Sequence, residues 1–254
     1  MKHLISFTAA ILAFGICHSA DAQTKEVTLI APGGIRAAVE RIIPGFERKT
    51  GLTVKATFGS GLGTKKQVAS GEVFDVPIVQ PPYPEVIASG NVIAASARPL
   101  ATISIGIAVR KGAPKPDIST PDAVKRTLLA AKSVSYPDAA GGAAAGVSFL
   151  ETLKKLGITD QMKATLKPAK GGAGAMAMVA KGEAEIGLTF LSEMEDPGVE
   201  PVGALPMQIS PSTSLVGFIS AHAKNPGGAK FLLDYLASKD AAAAYKAERM
   251  QPAR

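Results

Sequence analysis

From Val27 onward, short apolar runs alternate with stretches whose apolar residues recur every three or four positions. VTLIAP (27–32) has the pattern of a strand. Ile35, Ala38, Val39, Ile42, Ile43 and Phe46 then share one face of a helix, with Arg36, Glu40, Arg41 and Glu47 opposite. Gly51 closes that helix, and Pro44 inside it predicts a kink or break. LTVKATF (52–58) alternates as a strand, 64–70 reads as a short helix closed by Gly71, and DVPIVQ (75–80) reads as a buried strand. A proline-rich turn at 81–84 leads to a short helix ending near Gly90, and ISIGIAVR (103–110) reads as one longer strand. The pattern then restarts with helix 121–131, strand SVSYP (133–137), a Gly/Ala loop, helices over 147–156 and 173–181, and strand EIGLTF (185–190). LVGFISAHA (215–223) is a further strand. Asn225 and Pro226 open an amphipathic helix that carries Phe231, Leu232, Tyr235 and Leu236 on its apolar stripe and runs to about Met250. This alternation predicts an α/β fold with mainly parallel sheets flanked by helices, and the restart predicts a second sheet.

Four glycine-rich segments mark places where a strand pattern gives way to a helix pattern: Gly33-Gly34, Gly59 to Gly63, Gly141 to Gly146, and Gly171 to Gly174. The first turn of a helix leaves backbone N–H groups unpaired and partly positive, and glycine lets a ligand come close to them. Facing one cleft, four such turns would hold a small anion with few charged side chains.

The N-terminus changes the picture of where this happens. Lys2 and His3, an apolar stretch over 4–16 and the small residues Ala20 and Ala22 match a secretory signal peptide over residues 1–22, cleaved near Ala22, which predicts a periplasmic protein. About 13 apolar residues fall short of the ~20 that a spanning helix needs. Cys17, the single cysteine, lies in this segment, so the mature chain has no disulfide, thiol nucleophile or cysteine metal ligand. The net charge of +7 loses one base and one acid with the segment and keeps its value, which favours anionic ligands. Nucleic acid is not expected, because Lys and Arg are scattered and the chain has no tryptophan. Metal and cofactor motifs are absent. The nearest approach to a phosphate loop has Thr64 before Lys65 where glycine is needed, and Lys66 after it where Ser or Thr is needed. For proton chemistry the candidates are His222, the sole histidine of the mature chain, and Tyr136 and Asp138 beside the Gly/Ala loop. Asp138 reads either as a general base or as the cap of a turn or helix start.

On VTLIAPGGIRAAVERIIPGFERKTGLTVKATFGSG, QVASGEVFDV, AAAGVSFLETLKKLGI, AMVAKGEAEIGLTFLSEM and KNPGGAKFLLDYLASKDAA, in that order, the chain resembles the type 2 periplasmic substrate-binding proteins, and within them the molybdate-binding-protein-like group. The resemblance implies two α/β lobes, one over 25–103 and 211–254 and the other over 104–210, joined by crossover strands. A ligand cleft between them would close by a hinge. It also implies a monomer that serves the membrane permease of an ABC importer. Carried over residue by residue, the ligand contacts fall on Gly33, Gly34, Ser60, Gly61, Ala145, Gly146, Gly172 and Phe190. The group's first-loop serine matches Gly34, its fourth-loop valine matches Gly172 and its tyrosine matches Phe190, so hydroxyl donors are lost and room is gained. A tetrahedral oxyanion needs a close shell of donors. The expectation therefore moves from molybdate or tungstate to a larger anion, an organic acid with one or more carboxylates, paired with one or more of Arg36, Lys65 and Arg98. Aconitate isomerase is similar to this same group and implies an alternative, in which the cleft holds a tricarboxylate while one acid/base residue moves an allylic proton.

Overall fold

The computed structural model describes residues 25–253, so the expected signal peptide and Cys17 lie outside the described residues. Apolar runs become β1 (Glu26–Pro32), β2 (Thr53–Gly59), β3 (Val76–Val79), β4 (Arg98–Ile103), β5 (Ile105–Arg110), β6 (Val134–Pro137), β7 (Leu166–Ala169), β8 (Ile186–Phe190), β9 (Val199–Ala204), β10 (Thr213–Gly217) and β11 (Gln251–Pro252). Between them lie α1 (Arg36–Thr50), α2 (Gly61–Ala69), α3 (Pro84–Ala88), α4 (Pro121–Ala130), α5 (Ala144–Leu156), α6 (Thr159–Met162), α7 (Gly171–Ala180), α8 (Pro226–Leu236) and α9 (Lys239–Ala247). Short 3-10 turns at Gly33–Ile35 and Leu191–Glu193 follow β1 and β8.

Two sheets form two lobes, with strand orders β11-β4-β10-β3-β1-β2 and β7-β6-β8-β5-β9. In each, one half is a parallel triple: β1 pairs in parallel with β2 and β3, and β6 with β7 and β8. The other half is antiparallel, which an expectation of mainly parallel sheets does not include. The reason is the connection between lobes. The chain leaves the first sheet along β4 and enters the second along β5, then returns along β9 and β10, so outgoing and returning strands run in opposite directions. Residues 103–110 accordingly form two strands meeting at Ser104, where one was expected. The hydroxyls of Ser104 and Ser212 lie 2.7 Å apart and tie the two crossings together.

The C-terminal helical pattern also divides. One helix to about Met250 was expected, but α8 ends at Leu236 and Ser238 caps a new helix, α9, by accepting from the Ala241 N–H. The strand expected over 215–223 ends at Gly217. Helix α1 runs through Pro44 without a break in its assignment. Pro44 and Glu40 are both exposed, so the hydrogen bond that Pro44 cannot donate to Glu40 is missing on the outer face of the helix. Gly51 ends α1 in the left-handed conformation at φ 71°, as its position predicts.

Close approach of helix to strand sets the lobe-two geometry. A Cβ at Gly146 would collide with the Pro137 carbonyl oxygen, so only glycine lets the first turn of α5 lie against the end of β6. Phe149 on the same helix meets Tyr136 with ring centroids 5.3 Å apart. In lobe one, Asp75 precedes β3 and is 2% exposed. Its Oδ2 accepts from the Thr28 N–H at 2.7 Å and the Thr28 hydroxyl at 2.8 Å, and its Oδ1 accepts from the Asn225 N–H at 2.9 Å. One carboxylate thus joins β1, β3 and the start of α8.

Candidate functional site

The two parallel triples point their carboxyl ends at a common cleft, the place where open α/β sheets bind ligands. A cavity of about 690 Å³ opens there. Its lining comes from six strand ends: Gly33 and Gly34 after β1, Ser60 and Gly61 after β2, Gln80 after β3, Asp138 after β6, Lys170 and Gly172 after β7, and Phe190 and Glu193 at and after β8. Contacts bridge the lobes beside it. The Leu62 N–H donates to the Gly142 carbonyl at 3.2 Å, and the Ser192 hydroxyl donates to the Gly34 carbonyl at 2.7 Å.

Several helix starts at the cavity leave their first-turn amides without a side-chain cap. The 3-10 turn after β1, α5 and α7 begin with Pro32, Ala143 and Lys170, none of which makes a side-chain capping bond. Elsewhere α4, α8 and α9 are capped by Thr120, Asn225 and Ser238, while the short α3 and α6 are not capped. First-turn amides with no side-chain cap can turn to an anionic guest. At α2 the Ser60 hydroxyl already accepts from the Gly63 N–H at 3.1 Å. Ser60 is the only hydroxyl-bearing residue lining the cavity among the described residues.

Of the residues expected at a ligand site, the structure gathers Gly33, Gly34, Arg36, Ser60, Gly61, Asp138, Ala145, Gly172 and Phe190 at this cavity. Arg36 stacks its guanidinium over the Phe58 ring at 4.8 Å. Asp138 accepts from the Ala140 N–H at 3.0 Å, the turn-capping role open to it, while still lining the cavity. Five others lie away from the lining. Gly146 serves helix packing as described. Tyr136 is in β6, where the strand pattern over 133–137 puts it, buried against Phe149, and burial, followed by the nearby Asp138, raises its pKa. Lys65 turns its ammonium to the Pro82 carbonyl at 2.8 Å. Arg98 is exposed at the start of β4. The imidazole of His222 meets the Asn91 side chain at 3.2 Å on the lobe-one surface.

Three polar lining residues were not anticipated: Gln80, Lys170 and Glu193. Each follows closely on the C-terminal end of a strand, the one signal that could have found them. Gln80 is 3% exposed, yet neither atom of its amide has a protein partner. Glu193 places its carboxylate between the glycine turns of the two lobes. Its Oε1 lies 3.5 Å from where a Cβ of Gly33 would stand, and a Cβ at Gly172 would collide with its Oε2. The Thr189 hydroxyl donates to that carboxylate. Burial, opposed by the bonds from Thr189 and the Phe190 backbone, raises its pKa above the ordinary 4.5. Among the described residues no three His, Cys, Asp or Glu side chains are grouped to hold a metal ion, and no helix is long and apolar enough to cross a membrane.

The raised value fixes a pH dependence. Below about 4.5 Glu193 is protonated in folded and unfolded chains alike, and its contribution to stability is complete. As pH rises through the folded value, the unfolded chain has already ionised while the fold resists, so stability is lost. Urea midpoints measured from about pH 4 to 8 should show a decline in the wild type that Glu193→Gln flattens. Parallel curves would count against this assignment.

Comparison with known proteins places the chain. Residues 27–248 match the family model described as bacterial extracellular solute-binding protein. The chain is 36% identical over 233 residues to an aconitate isomerase from Pseudomonas sp, covering 89% of this chain and 87% of that protein. It is 25% identical over 252 residues to the molybdate-binding protein ModA of Escherichia coli (strain K12), covering 96% of each. Among solved structures, the periplasmic molybdate-binding protein of Azotobacter vinelandii superposes with a TM-score of 0.75 at 17% identity, covering 90% of this chain and 100% of that one.

Proposed function

The chain belongs to the bacterial extracellular solute-binding protein family, and from that premise we propose that it captures a small organic polycarboxylate in the cleft between its lobes. The observation that carries this reading is the composition of the cavity wall. A volume of about 690 Å³ falls within the roughly 300–1,000 Å³ of organic-ligand pockets. One hydroxyl, already used as a helix cap, cannot supply the dense shell of donors that a desolvated tetrahedral oxyanion requires. Backbone amides, the Gln80 amide and the cations Arg36 and Lys170 are instead spread around a wide space, suited to carboxylates several bonds apart. Export to the periplasm and delivery of the ligand to the permease of an ABC importer complete the proposal.

A second reading is favoured by the 36% identity to an aconitate isomerase: the bound tricarboxylate is isomerised in place. A thermal-shift panel of cis- and trans-aconitate, citrate, simple dicarboxylates, molybdate, tungstate and sulfate tests the ligand class. A ligand at 100 times its dissociation constant adds roughly 2.7 kcal/mol. A shift with polycarboxylates is expected, and a shift with molybdate alone would overturn the proposal. Interconversion of the aconitates on incubation distinguishes the isomerase from the transport receptor.

A further inference from the structure

We infer that Glu193 is the group that exchanges a proton with a carbon atom of the bound guest. The inference rests on the polycarboxylate reading above and deepens its second form, in which the bound guest is isomerised in place. Three observations carry it. The Glu193 carboxylate lines the cavity where the glycine turns of the two lobes converge, so a guest held by amides of both turns is placed against it. No ion pair reaches it among the described residues. Thr189 and the Phe190 backbone instead orient it through neutral hydrogen bonds. A carboxyl half withdrawn from water without a cation beside it is costly to ionise, and the fold nonetheless makes room for it by keeping Gly172 without a side chain. Asp138, the other carboxylate on the wall, is engaged in its own turn with Ala140.

The chemistry needs no added reagent. In an unsaturated polycarboxylate, a C–H bond flanked by a carboxylate and a double bond breaks, and its proton goes to a Glu193 oxygen. The electron pair left behind spreads over the allylic system and the adjoining carboxylate. The proton on Glu193 exchanges with water at the open cavity, and return of a proton from Glu193 to the far allylic carbon reforms a neutral carbon skeleton with the double bond moved by one position. Atoms and electrons balance, and the glutamate ends as it began. A carboxyl with raised proton affinity suits this task, since a stronger base removes a carbon-bound proton more readily. Arg36 and Lys170, on the same wall, offset the charge that gathers on the guest's carboxylates.

Trans-aconitate is the probe, incubated with wild type and Glu193→Gln in deuterated water and followed by proton NMR, with thermal shift reporting binding in parallel. Wild type is expected to bind the probe and to wash deuterium into its allylic position. The E193Q variant should keep the thermal shift and lose exchange by about 10²–10⁴-fold, the usual contribution of general acid–base catalysis. A merely structural glutamate would not separate the two readouts. Exchange by E193Q at the wild-type rate overturns the inference. Binding by wild type without exchange overturns it as well and leaves the polycarboxylate reading standing. No thermal shift with any polycarboxylate removes that reading, and the inference falls with it. If E193Q does not fold, E193D keeps the carboxyl but withdraws it by one methylene, and reduced exchange with retained binding is then the supporting result, unchanged exchange the opposing one.

Discussion

Replacing Gln80 by leucine is expected to weaken polycarboxylate binding by about 10- to 100-fold while leaving the ligand-free protein at least as stable as the wild type. Both halves follow from one fact, the burial of an amide whose oxygen and nitrogen have no protein partner. In the free protein that arrangement costs roughly 1–3 kcal/mol, and an apolar side chain of similar volume relieves it. In the complex the same amide can donate to a carboxylate, and a hydrogen bond to a charged group contributes about 1.5–3 kcal/mol, which converts to the expected loss at 1.4 kcal/mol per tenfold. Gly61 matters to this outcome because a Cβ there would stand 2.5 Å from the Gln80 Oε1, so the amide owes its place to a glycine on the neighbouring turn. Calorimetric titration with the best ligand of the thermal-shift panel, together with urea denaturation of the free protein, checks both halves. Unchanged affinity with reduced stability would make Gln80 a packing residue.

The cleft combines opposed tendencies. Its wall carries Arg36, stacked over Phe58, and Lys170, both exposed, yet it also carries two carboxyls, Asp138 and Glu193. Two ionised carboxylates would cancel the two cations. Because its surroundings oppose its charge, the Glu193 carboxylate is the more avid proton acceptor of the two, the property that the transfer inferred for it uses.

Which parts of this were legible in the sequence follows from where each signal arises. The parallel triples are legible because β1, β3, β6 and β8 are buried and largely apolar runs, and the glycine turns after β1 and β6 interrupt the pattern plainly. Strands β7, β9 and β11 escape notice because each is at the edge of its sheet. Their Pro168, Pro201 and Pro252 are tolerated only where a strand face has no partner to donate to, and their polar residues hide the alternation. The break at Ser104 escapes for the opposite reason, since apolar residues on both sides make two strands in different sheets look like one. At the site, glycines announce themselves by composition, whereas Gln80 and Glu193 are ordinary residue types whose meaning comes only from the side chains and turns brought round them by distant parts of the chain. Lys65 and Arg98 show the converse, being cations near glycine turns or strand starts in sequence whose side chains point elsewhere.

Asp75→Ala is expected to produce the largest loss of stability, about 3–5 kcal/mol, although the residue is remote from the proposed chemistry. The carboxylate accepts from three donors, the half-buried Thr28 N–H and hydroxyl and the buried Asn225 N–H, and all three lose this acceptor when it is removed. Each buried donor left without a partner costs roughly 1–3 kcal/mol, and alanine brings no oxygen to replace the one lost. The cavity created by truncation adds to the same sign. Asp75→Asn separates the contributions, because it keeps the shape and one acceptor oxygen while turning an NH2 group toward a donor, and about half the loss is expected. Because the network ties the start of α8 to β1 and β3, the effect should fall on lobe one as a whole rather than on a local loop. A domain of this size shifts its melting temperature by roughly 2–4 °C per kcal/mol, so a drop on the order of 10 °C should accompany the alanine variant. Urea denaturation of the two variants beside the wild type measures the difference, and a loss below about 1 kcal/mol for Asp75→Ala would mean that the three donors find other partners once the carboxylate is gone.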